Sequence, residues 1–207
     1  MKLFYSPGAC SLGIHLLLEE IGAPYELSLV DIRQGQQFSV AFRAVNPKGK
    51  VPALQREDGS VLTEFPAIAW WLGLNFPDAG LLPPGDEMRI RIMESLDYMI
   101  GTVHMRGFTL ALVPQKFTSA EAGQADLKAH GTMIATEGFE ALSRQLGARP
   151  YLFDGFTIAD AALFYLVSWA GRANVAVPQN LQDYRERLAA RPAVRRALEQ
   201  EGLLAAR

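Results

Sequence analysis

Cys10 is the one thiol in a sequence of 207 residues, and its neighbours put it where a thiol can do chemistry. Lys2-Leu3-Phe4-Tyr5 is a short apolar strand candidate, Ser6-Pro7-Gly8-Ala9 turns the chain, and Ser11 to Ile21 carries helical periodicity. The sulfur therefore stands at a helix N-terminus, where unpaired N–H groups and the positive end of the dipole favour an anion. The expectation is a thiol of lowered pKa, richer in thiolate and more nucleophilic. A lone cysteine is more commonly a small buried hydrophobe. The strand–helix junction and its backbone-flexible neighbours favour the reactive reading.

A dithiol oxidoreductase of this pattern carries a second cysteine three positions on, where this chain has Gly13. Without it no internal disulfide can resolve an adduct, so redox chemistry at Cys10 needs an external thiol. That points to a small thiol co-substrate. A single cysteine also fits a reducing compartment.

The most specific stretch is Asn46-Pro47-Lys48-Gly49-Lys50-Val51-Pro52-Ala53-Leu54. Pro52 interrupts a strand signal, where it cannot donate to a ladder. A cis peptide before it would resolve the conflict and present the Val51 backbone N–H and C=O to a ligand. The alternative is an edge-strand proline with no ligand.

The elements that must hold these groups change character along the chain. Gly22-Ala23-Pro24 stops the first helix, and Tyr25, Leu27 and Leu29 then alternate with polar residues as a strand does. Phe38 to Val45 reads as a short helix, Val51 to Gln55 and Val61 to Thr63 as a hairpin about Glu57-Asp58-Gly59, and Glu64 to Phe76 as a helix. The order is βαβαββα. A Pro- and Gly-rich break follows, after which Asp86 to Val113, Ser119 to Leu146, Thr157 to Arg172 and Leu181 onward all read as helices. Residues 1–77 are expected to form an α/β domain, 78–86 a linker and 87–207 an all-helical bundle domain.

With 20 basic and 22 acidic side chains and no block of like charge, the chain has no signature of a nucleic-acid or membrane-surface binder. The segment Met1 to Pro7 shows neither the basic stretch nor the apolar run of an export signal. The longest apolar stretch, Ala161 to Gly171, is too short to span a bilayer. A cytoplasmic protein is expected. No metal-ligand cluster stands out, and no metal is expected.

Together Tyr5-Ser6-Pro7-Gly8-Ala9-Cys10-Ser11, the Asn46 to Leu54 segment, Thr63-Glu64 and Ala67-Ile68 resemble the glutathione-binding, thioredoxin-like domain of bacterial beta-class glutathione transferases. Phe156-Thr157-Ile158-Ala159-Asp160-Ala161 resembles that family's helix-initiating motif. In physical terms Thr157 is an N-cap and Asp160 reaches back to it. The resemblance covers essentially the whole chain.

It implies glutathione as co-substrate, with Cys10 beside its sulfur and able to form a mixed disulfide. The Val51 backbone, before Pro52, would pair with the cysteinyl part as an added strand. Glu64 would take the γ-glutamyl ammonium and the N–H of Phe65 its carboxylate. Relatives usually carry Ser at that last position, so Phe65 keeps the N–H and offers no hydroxyl. Arg33 substitutes for a lysine that meets the glycine carboxylate. Asp97 would reach the glutathione of the partner in a homodimer.

The family's helical domain also supplies a histidine near the sulfur. Counting from Asp97-Tyr98 gives His104, and counting back from Gly107-Phe108 gives Met105, which implies one extra residue just after His104. His104 is favoured as thiolate donor or proton carrier, with a structural histidine as the alternative. Arg106 would replace the basic residue that follows it. His15 and His130 read as structural or solvated. A greasy subsite near His104, Phe108, Leu112 and Phe117 would accept a small-molecule electrophile.

Two functions compete. The first is a detoxifying transferase that joins glutathione to hydrophobic electrophiles, with thiol–disulfide exchange through Cys10 as a further use of the site. The second is a binding or scaffold protein that keeps the fold without the activity.

Overall fold

The computed structural model describes residues 1–204. β1 (Lys2–Tyr5) runs parallel to β2 (Glu26–Leu29) and antiparallel to β3 (Ala53–Gln55), which pairs antiparallel with β4 (Val61–Thr63). The sheet order is β2-β1-β3-β4. Register places Leu3 between Leu27 and Leu54, and Leu3 and Leu54 are fully buried. The helices α1 (Ser11–Ile21) and α2 (Val40–Val45) lie between strands, and α3 (Phe65–Asn75) follows β4. This is the expected βαβαββα order, a thioredoxin-like sheet.

Two local differences have simple causes. The helix expected from Phe38 is divided: Gln36–Phe38 form a 3-10 turn, and Ser39 caps α2 by accepting from the Phe42 N–H at 3.2 Å. Pro52 precedes β3 rather than interrupting it, because a residue without an N–H cannot join the ladder.

The second group of elements is helical. α4 (Asp86–Asp97) continues without a break into a π-helical segment (Tyr98–Phe108) and then α5 (Thr109–Leu112). α6 (Glu121–Leu146), α7 (Ile158–Ala173) and α8 (Gln179–Ala189) follow. α7 is the core helix, with Ile158 through Val167 all buried. It starts where expected: the Thr157 backbone N–H donates to Asp160 Oδ2 at 2.8 Å and the Thr157 hydroxyl donates to the same oxygen at 2.9 Å. Asp160 Oδ1 also accepts from the Leu152 N–H at 3.0 Å and the Tyr184 hydroxyl at 2.8 Å.

The expected domain limits need correction. The chain divides into Met1–Pro83 with residues from Ala189 onward, and Pro84–Leu188. α9 (Pro192–Gln200) is a separate helix that packs on α1 in the first unit. Pro192 starts it, and Arg191 holds Glu20 bidentately, with Nε and Nη2 each 2.8 Å from a carboxylate oxygen. Helical periodicity announced a helix there, but not which core would cover it. Among the described residues no helix is long and apolar enough to cross a membrane.

Candidate active site

In the first unit the loop between β1 and α1 is tied at both ends. The Ser6 N–H donates to Ser11 Oγ at 3.1 Å, and that hydroxyl donates back to the Ser6 carbonyl at 3.2 Å. Gly8 turns with φ +67°, which a side chain would resist, and its N–H donates to Glu201 Oε2 at 2.8 Å. Cys10 follows as the residue preceding α1, half-buried, with its Sγ donating to the Val51 carbonyl at 3.4 Å.

The expected lowered thiol pKa is overturned. Burial pushes the Cys10 thiol up to about 12, against smaller downward pulls from the backbone N–H groups of Cys10 and Ser11 and from Lys50, while Glu64 adds to the rise. The magnitudes explain the sign. A helix terminus stabilises an anion by about 0.3–1 kcal/mol, less than one pKa unit, whereas burial shifts a group by up to several units. The balance favours the neutral, hydrogen-donating thiol.

Its acceptor lies in a loop that Asn46 organises. The Asn46 side chain, 1% exposed, donates to the Lys50 carbonyl at 2.7 Å and accepts from the Lys48 N–H at 3.1 Å. This leaves Lys48 and Lys50 exposed and brings the Val51–Pro52 peptide, which is cis, against Cys10.

Glu64 precedes α3 with φ 71° and ψ 127°, a conformation that costs a residue with a side chain about 1–3 kcal/mol and that clusters at ligand sites. Its carboxylate accepts from Lys48 Nζ at 2.8 Å, and Lys48 also donates to Thr63 Oγ1 at 2.9 Å. Phe65 opens α3 and is 4% exposed, so it lies in the protein interior. Cys10, Val51, Pro52, Glu64 and Phe65 thus stand on the ends of α1, β3 and α3 in one unit. Arg33 lies on the exposed loop after β2, where its N–H donates to Asp31 Oδ1 at 2.9 Å.

The remaining expected residues belong to the helical unit. Asp97 is exposed at the end of α4, and Arg106 is exposed on the π segment. His104 is half-buried, with Nδ1 3.1 Å from the Tyr165 hydroxyl and its ring edge-on to Trp169 at 4.8 Å between centroids. Met105 is 42% exposed, so of the two residues reached by counting, His104 is the one that packs inside its unit. A π turn, closed by i→i+5 bonds, holds one more residue than an α turn. The Thr109 N–H closes such a turn on the His104 carbonyl, which also accepts from Thr109 Oγ1 at 3.1 Å.

Phe108 is fully buried against Phe139 and Trp169, which makes it core rather than an open subsite wall; Phe117 is 55% exposed. Among the described residues no three His, Cys, Asp or Glu side chains gather as a metal site.

The sequence reading missed two participants. Lys48 and Glu201 both carried charge in plain sight, but their partners lie across loops that only the fold closes. Glu201 is 5% exposed and joins two points around Cys10: Oε2 takes the Gly8 N–H, and Oε1 lies 2.9 Å from His15 Nδ1 on α1. His15 Nε2 faces Gln200 Oε1 at 2.7 Å and the Tyr25 hydroxyl at 2.9 Å, so this histidine is structural, as expected.

Comparison with known proteins bears on both units. The family model described as Glutathione S-transferase, N-terminal domain, matches residues 8–74, and the one described as Glutathione S-transferase, C-terminal domain, matches residues 125–200. Glutathione S-transferase GstA of Escherichia coli O157:H7 is 36% identical over 98% of this chain and 100% of its own length. The bacterial beta-class glutathione S-transferase of Sphingomonas chungbukensis is 34% identical with a TM-score of 0.86, covering 99% of this chain and 100% of that one. A sphingomonad glutathione S-transferase solved in complex with glutathione is 34% identical with a TM-score of 0.84, over 99% and 100% of the two chains.

Proposed function

The chain belongs to the glutathione S-transferase family, and from that premise we propose that it conjugates the glutathione thiol to hydrophobic electrophiles, with Cys10 as a neutral hydrogen-bond donor. The observation that carries this reading is the Cys10 thiol, pushed up to about 12 and donating to Val51 beside the strained backbone of Glu64.

A thiol that stays protonated at neutral pH can turn its hydrogen from the Val51 carbonyl to the glutathione sulfur. Hydrogen bonding to the thiolate favours that form and lowers the glutathione pKa. The thiolate then attacks the electrophile held beside it: the sulfur–carbon bond forms, the leaving group departs and the thiol proton goes to solvent. The tripeptide lies extended along the Val51–Pro52 edge, its ammonium on Glu64 and its carboxylate at the α3 N-terminus, near the N–H of Phe65. Arg33 meets the glycine carboxylate. The family resemblance assigns His104 to the thiolate as donor or proton carrier, Arg106 to the basic position after it, and Asp97 to the glutathione of a neighbouring subunit in a homodimer. A cytoplasmic detoxification role in a bacterium follows from the same resemblance.

Thiol–disulfide exchange through Cys10 is the weaker use of the site, because attack on a disulfide needs the thiolate. Replacing Cys10 by Ala separates the two: conjugation of a model aryl halide is weakened by the loss of one thiolate donor but persists, while reduction of a glutathionylated substrate is abolished. Glutathione-agarose distinguishes both from a scaffold without glutathione chemistry. A folded protein that is not retained, and has no conjugating activity, would establish the scaffold reading.

A further inference from the structure

The carboxylate assigned to the ammonium of the tripeptide already holds an ammonium. Lys48 Nζ lies 2.8 Å from Glu64 Oε1 and 2.9 Å from Thr63 Oγ1. The two side chains are 54% and 55% exposed. Lys48 reaches them from a loop whose backbone is held by Asn46, with the Lys48 N–H on Asn46 Oδ1 at 3.1 Å and the Gly49 N–H on the Asn46 carbonyl at 2.9 Å. Glu64 in turn starts from a backbone held at φ 71° at the head of α3. A cation on a fixed loop thus faces an anion on a fixed helix start.

We propose that Lys48 is a specificity-determining residue that competes, within the chain, with the γ-glutamyl ammonium for Glu64, so that glutathione enters by exchanging one ammonium for another. The inference rests on the reading above, in which Glu64 receives the γ-glutamyl end. Exposure sets its scale: an ion pair open to water on both sides is weak enough for a ligand to displace. The flexible four-carbon stem of lysine lets the displaced charge return to solvent without moving the loop. Binding competence is then reduced by the fraction of time Lys48 sits on Glu64. A ligand without the ammonium has no need to displace Lys48, so the residue narrows the difference between glutathione and such a ligand.

The test is calorimetric titration of the full chain and of Lys48→Met with glutathione and with deamino-glutathione, in which hydrogen replaces the γ-glutamyl amine. The expected result is glutathione binding about two- to fivefold tighter in Lys48→Met, the range set by an exposed ion pair. The deamino analogue gains nothing. Glutathione binding equal to or weaker than that of the parent chain would overturn the inference, because Lys48 would then support Glu64 or hold a ligand carboxylate. Equal tightening of both ligands would overturn it too, by removing the role of the ammonium. Absence of glutathione binding in both proteins would sink the underlying reading together with the inference, whereas the first two outcomes leave that reading standing.

Discussion

The Cys10 thiol and the Val51 carbonyl are hydrogen-bonded at 3.4 Å, joining the start of α1 to the last residue before the cis proline. The bond defines which partner is proton-rich. A thiolate would repel the carbonyl oxygen, whereas a thiol is drawn to it. Burial holds the sulfur in that neutral form against the weaker pull of the helix terminus. In the proposed function this becomes a division of labour, with glutathione supplying the thiolate and Cys10 the donor.

The Cys10 loop depends on the far end of the chain. Replacing Glu201 by Ala removes the acceptor of the Gly8 N–H and the partner of the buried His15. Leaving a buried hydrogen-bonding group without its partner costs about 1–3 kcal/mol. Denaturant unfolding should show that loss. A midpoint within error of the parent would mean that Glu201 is not a tie.

Asp160 is a second buried carboxylate with a purely structural task. Burial pushes its carboxyl up, and hydrogen bonds from Leu152, Thr157 and Tyr184 pull it back. Asp160→Ala leaves these donors without their acceptor at the head of α7, at a cost of roughly 3 kcal/mol. The melting temperature should fall by about 10 °C, given a few degrees per kcal/mol for a chain of this size. Asp160→Asn keeps one acceptor oxygen and should lose less.

Much of this was legible before the fold was known, and the reasons differ by element. The bounds of α1, Ser11 and Ile21, are legible because Gly22 and Pro24 end it and only Gly13, in its first turn, weakens the helical pattern. The hairpin of β3 and β4 followed from Asp58-Gly59, and the α7 cap from Thr157 and Asp160, since these are local rules. What failed was long-range. The partners of α9, Glu19 and Glu20, lie more than 170 positions earlier. The Cys10 pKa was misjudged because position at a helix start is visible in a sequence and desolvation is not. Between Asp97 and Gly107 the helical periodicity showed no sign of the π-helical winding of Tyr98–Phe108.

That segment also makes a packing prediction. A Cβ on Gly131 of α6 would lie 2.5 Å from the Gly107 carbonyl oxygen and 2.6 Å from the Ala111 nitrogen, both backbone atoms that cannot step aside. Gly131→Ala should therefore cost about 3 kcal/mol through overpacking. Gly171, on exposed α7 surface, has nothing within 4 Å of its Cβ position, so Gly171→Ala should be stabilising by up to about 1 kcal/mol through helix propensity. Equal effects of the two substitutions on thermal unfolding would contradict the close approach of α6 to the π segment.

The central claim, a protonated Cys10 beside a glutathione slot, is tested most directly by the pH dependence of Cys10 alkylation. Iodoacetamide reacts with the thiolate, and the chain has one cysteine, so the modification rate reads one group. With the thiol pushed up to about 12, the rate should be low at pH 7 and still be climbing at the most alkaline pH the fold tolerates. S-methylglutathione, which has no free thiol to consume the reagent, should slow it throughout. A rate that levels off near neutral pH, or that S-methylglutathione leaves unchanged, would contradict the account.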